Sequence, residues 1–149
     1  MNVKLEDKPD PIEILLVEDN EGDIDLTRES LEQSKLFLNL NVVRDGKTAM
    51  DYLQRRNGYE DATRPDIILL DLNLPKLSGQ NVLKKIKSDD TLQAIPVAVL
   101  SASEAQEDIE KSYQEHANCY ITKPLGFNQF QQLVEQFETF WFSIVRLPD

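Results

Sequence analysis

The sequence predicts an α/β fold, a single (βα)5 doubly wound domain built on a five-stranded parallel sheet. Apolar runs of strand length recur along the chain: Ile14-Leu15-Leu16-Val17, Ile67-Ile68-Leu69-Leu70 and Val97-Ala98-Val99-Leu100. They are continuous rather than alternating, as suits strands buried on both faces. Segments with helical spacing of apolar residues stand between them. Strand and helix alternate to the end, which implies parallel pairing through right-handed crossovers, with helices on both sheet faces.

Residues 1–11 are charged, carry Pro9 and Pro11, and read as a flexible lead to a domain over residues 12–149. The first strand spans Ile12 to Val17. A weakly amphipathic helix follows over Gly22 to Ser34, with Ile24, Leu26 and Leu31 as its apolar positions. Leu38 to Arg44 is the second strand, and Asp45-Gly46 turns the chain into a helix carrying Ala49, Met50 and Leu53. Arg55 to Pro65 is polar and reads as a surface loop. Asp66 to Leu70 is the third strand, and Gly79 to Ser88 a helix with Val82, Leu83 and Ile86 inward. Pro96 opens the fourth strand. Ser103 to Glu115 repeats Ala105, Ile109 and Tyr113 on one helical face, with Ser103 as its N-cap. Asn118 to Thr122 is the fifth strand. Phe130, Leu133, Val134, Phe137, Trp141 and Ile144 then form the stripe of a long final helix.

Composition narrows the function. The chain has 149 residues, the size of one ordinary domain, and a net charge of −11. Phosphate backbones repel such a chain unless its basic residues cluster, so no nucleic-acid partner is expected. No apolar stretch approaches the roughly 18 residues needed to span a bilayer, and no secretory signal opens the chain, so no membrane association is expected. Cys119 is the only cysteine, which excludes an internal disulfide and fits a reducing, cytoplasmic location. His116 is the only histidine, so zinc and copper sites are poorly served.

The chemistry gathers where strands end. Glu18 and Asp19 follow the first strand and Asp71 the third, at the edge where open α/β sheets place their sites. Acids converging there repel one another, and a hard divalent cation relieves them; Mg²⁺ takes carboxylate oxygens and keeps several waters. Lys123, after the fifth strand, adds an ammonium, and Ser101, after the fourth, a hydroxyl. Acids, cation, ammonium and hydroxyl make a place to attach a phosphoryl group to a carboxylate.

These pieces together resemble the receiver domain of two-component response regulators, across residues 12 to about 142. The matching segments are Leu16-Val17-Glu18-Asp19, Leu70-Asp71-Leu72-Asn73-Leu74-Pro75, Gly79, Leu100-Ser101-Ala102 and Tyr120-Ile121-Thr122-Lys123-Pro124. The resemblance implies the flavodoxin-like strand order 2-1-3-4-5. It implies that Asp71 accepts a phosphoryl group from a histidine kinase. Asp19 would ligate Mg²⁺, with Mn²⁺ as a substitute, Glu18 would act through water, and Asn73 would give its backbone carbonyl. Lys123 and Ser101 would bind the phosphoryl oxygens, and Tyr120 would be the aromatic switch that follows Ser101. Residues 73 and 103 would tune dephosphorylation. Glu18 stands where an Asp is often found, lengthening that arm by one methylene.

A narrower likeness is to the stand-alone response regulators of cyanobacterial phytochromes. It rests on Gly58-Tyr59-Glu60, Asn118-Cys119-Tyr120 and the ending Phe140-Trp141-Phe142 with Leu147-Pro148. It implies a light-sensing phytochrome kinase as partner. Apolar residues occupy more than one face of the last helix, so Phe137, Phe140, Trp141, Phe142 and Val145 are expected to form a homodimer interface.

Two other classes compete. An aspartyl-phosphate phosphatase wants a second acid two residues after its nucleophile, and Asn73 cannot move a proton in that way. An FMN module wants a Ser/Thr/Gly-rich phosphate loop, and Glu18-Asp19-Asn20-Glu21 would repel the phosphate. A switch rather than an enzyme is the expectation.

Overall fold

In the computed structural model, five parallel strands form one sheet in the order β2-β1-β3-β4-β5. The structure describes residues 11–33, 37–102 and 105–123, with positions 128 and 132. The chain runs β1 (Ile12–Val17), α1 (Glu21–Gln33), β2 (Leu38–Val43), α2 (Gly46–Leu53), β3 (Ile67–Asp71), α3 (Gly79–Ser88), β4 (Val97–Ser101), α4 (Gln106–Gln114) and β5 (Cys119–Thr122). The order is the one the resemblance implies. The final helix and its interface residues Phe137, Phe140, Trp141, Phe142 and Val145 lie outside the described residues, as does the lead over residues 1–10.

Strands β3 and β4 are buried at every position, which accounts for their unbroken apolar runs. Their side chains feed two cores, one on each sheet face. One gathers Leu15, Val17, Ile68, Leu70, Val97 and Val99 against Ala49, Met50 and Leu53 of α2 and Val82, Leu83 and Ile86 of α3. The other gathers Ile14, Leu16, Ile67, Leu69, Ala98 and Leu100 against Ile24 and Leu31 of α1.

Several local expectations shift. Asp71 is the last residue of β3 rather than the residue after it, and Asp66 precedes the strand. Asp66 instead ties β3 to β1: its N–H donates to the Glu13 carbonyl at 2.7 Å and its carboxylate accepts from the Glu13 N–H at 2.8 Å. Leu26 of α1 is 46% exposed, while Thr27 and Ser30 are buried. Ile24, Thr27 and Leu31 stand at i, i+3 and i+7 on one helix face, and Leu26 falls outside that stripe. Helix α4 starts at Gln106 with Ala105 at its N-cap and no side-chain cap bond, later than the start expected at Ser103, which lies outside the described residues. Its expected stripe is not buried either: Tyr113 is exposed, and Ser112 is the buried residue.

The polar loop after α2 is anchored rather than free. Asp51, buried on α2, accepts from Lys47 Nζ at 3.0 Å, Arg56 Nε at 2.9 Å and Asn57 Nδ2 at 3.1 Å. Those donors hold its carboxyl down at about 2. Tyr59 packs on Tyr52 with ring centroids 5.5 Å apart. Lys87 at the end of α3 donates to the carbonyls of Gln93 and Ile95 and to Asn118 Oδ1. That Oδ1 also accepts from the Val97 N–H, so Lys87 helps set β4 and β5 in register.

Candidate functional site

Register brings the predicted residues to one edge. Val17 pairs with Leu70, so Glu18 and Asp71 come level at the C-terminal ends of β1 and β3. Asp71 pairs with Leu100 and Ser101 with Thr122, so Ser101 stands one step further along and Lys123 two. The Lys123 N–H donates to the Ser101 carbonyl at 2.7 Å, which fixes the end of β5 against β4. Gly79, at the start of α3, is required by close approach. A Cβ there would run into the Asp71 carbonyl and the Leu72 Cα, so the absence of a side chain lets α3 close under the loop after Asp71.

Glu18 and Asp71 are nearly sealed from solvent, at 1% and 2% exposure, whereas Asp19 is exposed. One carboxylate oxygen from each of the three lies within 4.8 Å of the others. Asn73 is exposed, and its N–H reaches back to Asp71 Oδ1 at 3.3 Å. Ser101 is buried at the strand end. Tyr120 is half-buried against the larger core, and its N–H donates to the Tyr113 hydroxyl at 3.2 Å.

The Lys123 ammonium is the hub. It lies 2.8 Å from Glu18 Oε1, 2.9 Å from Asp23 Oδ2 and 3.3 Å from Asp71 Oδ1. Burial opposes its charge, but the bonds to Glu18 and Asp23 and the field of Asp71 outweigh burial and raise its pKa. Glu18 shows the opposite strain. Burial, with Asp71 beside it, pushes its carboxyl up to about 7 in spite of the Lys123 bond. A raised lysine favours the ion pair and a raised glutamate opposes it. The 2.8 Å contact decides for the ionic pair, and Glu18 is raised chiefly by its burial, with the charge of Asp71 adding to it.

The donor set itself is the fit test for a cation. An all-oxygen set of three carboxylates with unbalanced negative charge suits a hard divalent ion. Glu18, Asp19 and Asp71 would hold it, with the Asn73 backbone beside them. Its chemistry would be to neutralise phosphoryl oxygens.

Asp23 is the residue that sequence reasoning missed. It sits in the first turn of α1, its N–H donating to Asn20 Oδ1 at 2.9 Å. An acid there reads as a partner for the helix dipole, and only the fold shows that Lys123, a hundred positions away, reaches it. A cleft of about 750 Å³ between α2 and α3, lined by Lys47, Met50, Lys76 and Lys85 among others, shares no residue with the acid cluster. Among the described residues, no helix is long and apolar enough to cross a membrane.

Comparison with known proteins places this geometry. The family model described as the response regulator receiver domain matches residues 14–135. The response regulator Rcp1 of Synechocystis sp. is 44% identical over 138 residues, covering 93% of this chain and 94% of that protein. A crystal structure of the phosphorylated cyanobacterial phytochrome response regulator RcpA is similar at 51% identity and a TM-score of 0.77, covering 90% of this chain and 96% of that one. The Mn²⁺-bound form of Rcp1 matches at 43% identity and a TM-score of 0.76, over 90% and 96%.

Proposed function

The chain belongs to the response regulator receiver family, of the cyanobacterial phytochrome type, and from that premise we propose that it is a single-domain phosphoryl switch. A sensor histidine kinase, of the phytochrome class, donates a phosphoryl group to Asp71. One Asp71 carboxylate oxygen attacks phosphorus, and the bond from phosphorus to the donor nitrogen breaks. Lys123 and Ser101 receive the phosphoryl oxygens, with Lys123 already 3.3 Å from Asp71. Glu18 and Asp19 would hold Mg²⁺ beside Asp71, with Mn²⁺ as a substitute; that the similar Rcp1 has a Mn²⁺-bound form supports a divalent ion as the cofactor.

The carrying observation is the buried Asp71 at a strand end, flanked by two further acids and a lysine held by three carboxylates. Ser101 and Tyr120 pass the change outward, and the output is a protein contact rather than multiple turnover. Self-association through the aromatic C-terminal residues 137–145 is part of the proposal, as is a cytoplasmic setting. Incubation with Mg²⁺ and acetyl phosphate, followed by intact-mass measurement, tests the reading. It predicts one added phosphoryl group in the wild type and none in Asp71→Asn. Equal incorporation in both would overturn it.

A further inference from the structure

The phosphoacceptor chemistry gives Asp23 no role, yet Asp23 holds one of the three contacts on Lys123. An ammonium has three N–H donors, and here three carboxylates surround it. Glu18 and Asp71 belong to the cation-ready cluster; Asp23 does not. Asp23 is also placed differently. It comes from the capped first turn of α1 rather than a strand end, and its side chain is 31% exposed against 1% and 3% for the other two.

A carboxylate that turns its oxygens to a divalent cation is a poorer acceptor for an ammonium, and the two cations repel. Lys123 then needs an acceptor outside the cluster, and Asp23 alone of the three meets that need. We propose that Asp23 is the positioning residue for Lys123. It seats the ammonium when Glu18 and Asp71 engage the cation, so that lysine and cation do not compete for the same oxygens. The inference rests on the phosphoacceptor reading above. It assigns Asp23 a task that reading does not contain: raising the affinity for the cation while keeping Lys123 at the sheet edge.

Calorimetric titration of Mg²⁺ into the full chain tests it, using wild type, Asp23→Asn, Asp23→Glu and Glu21→Gln, each also combined with Lys123→Ala. Glu21 is the control because it is an acid of the same turn that pairs with Arg44, at 2.9 Å, instead of Lys123. Asp23→Asn should weaken Mg²⁺ binding roughly three- to tenfold, the scale of one half-buried charge-assisted hydrogen bond. Asp23→Glu should recover most of that loss, and Glu21→Gln should cost less than about twofold. In the Lys123→Ala background, Asp23→Asn should shrink to the size of the Glu21→Gln effect. Binding stoichiometry separates lost affinity from lost folded protein. Equal losses for Asp23→Asn and Glu21→Gln, or an Asp23→Asn loss that survives removal of Lys123, would overturn the proposal. A wild type that binds no Mg²⁺ would instead overturn the phosphoacceptor reading itself.

Discussion

Replacing Glu18 by glutamine should stabilise the metal-free protein in mildly alkaline solution and destabilise it in mild acid. The Glu18 carboxyl is raised from 4.5 to about 7, because it is buried at 1% exposure beside Asp71. Between those two values the folded state binds more protons than the unfolded state, so stability falls as pH rises through that window. The shift corresponds to about 3 kcal/mol lost by about pH 8, on the scale of 1.36 kcal/mol per pKa step. Glutamine titrates nothing and removes that loss. It has one oxygen where glutamate has two, however, and Glu18 accepts from both Lys123 Nζ and the Asn20 N–H. One of those bonds must go, at about 1 kcal/mol. The net expectation is a variant more stable than wild type by about 2 kcal/mol near pH 8 and less stable by about 1 kcal/mol near pH 4, below both pKa values. Urea unfolding in EDTA at the two pH values measures both. A wild-type stability that stays flat or rises across this window, with Glu18→Gln weaker at both ends, would refute the reasoning.

Other expectations follow from packing, charge and assembly. Gly79→Ala pushes a methyl group into backbone atoms of Asp71 and Leu72, which cannot move aside as a side chain would; chemical denaturation should show a loss of about 2 kcal/mol or more. Asp51, held down at about 2 by Arg56 and Lys47, contributes stability that is present above its ordinary 3.8 and lost as pH falls through about 2. Asp51→Asn should therefore be less stable near neutrality, and the gap to wild type should close in acid-unfolding curves between those values. Light scattering with and without beryllofluoride and Mg²⁺ should show a change in mass, or a change in Trp141 emission, if the site is coupled to the C-terminal aromatic residues; neither change would contradict that coupling.

How much was legible beforehand follows from the physics of each signal. Strands β3 and β4 are buried on both faces, so their apolar runs leave no ambiguity, and Gly79–Ser88 has helical spacing that matches its buried face. The acids Glu18 and Asp71 were readable because a strand end fixes where the next residue stands. Helix α1 was harder. Its buried face includes Thr27 and Ser30, which hydrophobicity ignores, so Leu26 was misassigned. Helix α4 fully buries only Ser112, so its apolar repeat of Ala105, Ile109 and Tyr113 marks neither its start nor its buried face. Asp23 and Asp51 were missed for one reason: a charged side chain declares its partner only through the fold. Lys123 meets Asp23 across the chain, and Asp51 meets donors from a loop that composition alone calls solvent.

The central claim is that Asp71, and no neighbouring acid, carries the phosphoryl group. Borohydride reduces an acyl phosphate to an alcohol at the carboxylate that bore it, and peptide mass spectrometry then locates that carboxylate. After treatment with acetyl phosphate and Mg²⁺, reduction is predicted at residue 71 alone, with Glu18, Asp19 and Asp23 unchanged. Reduction at any of those three with residue 71 intact would contradict the account.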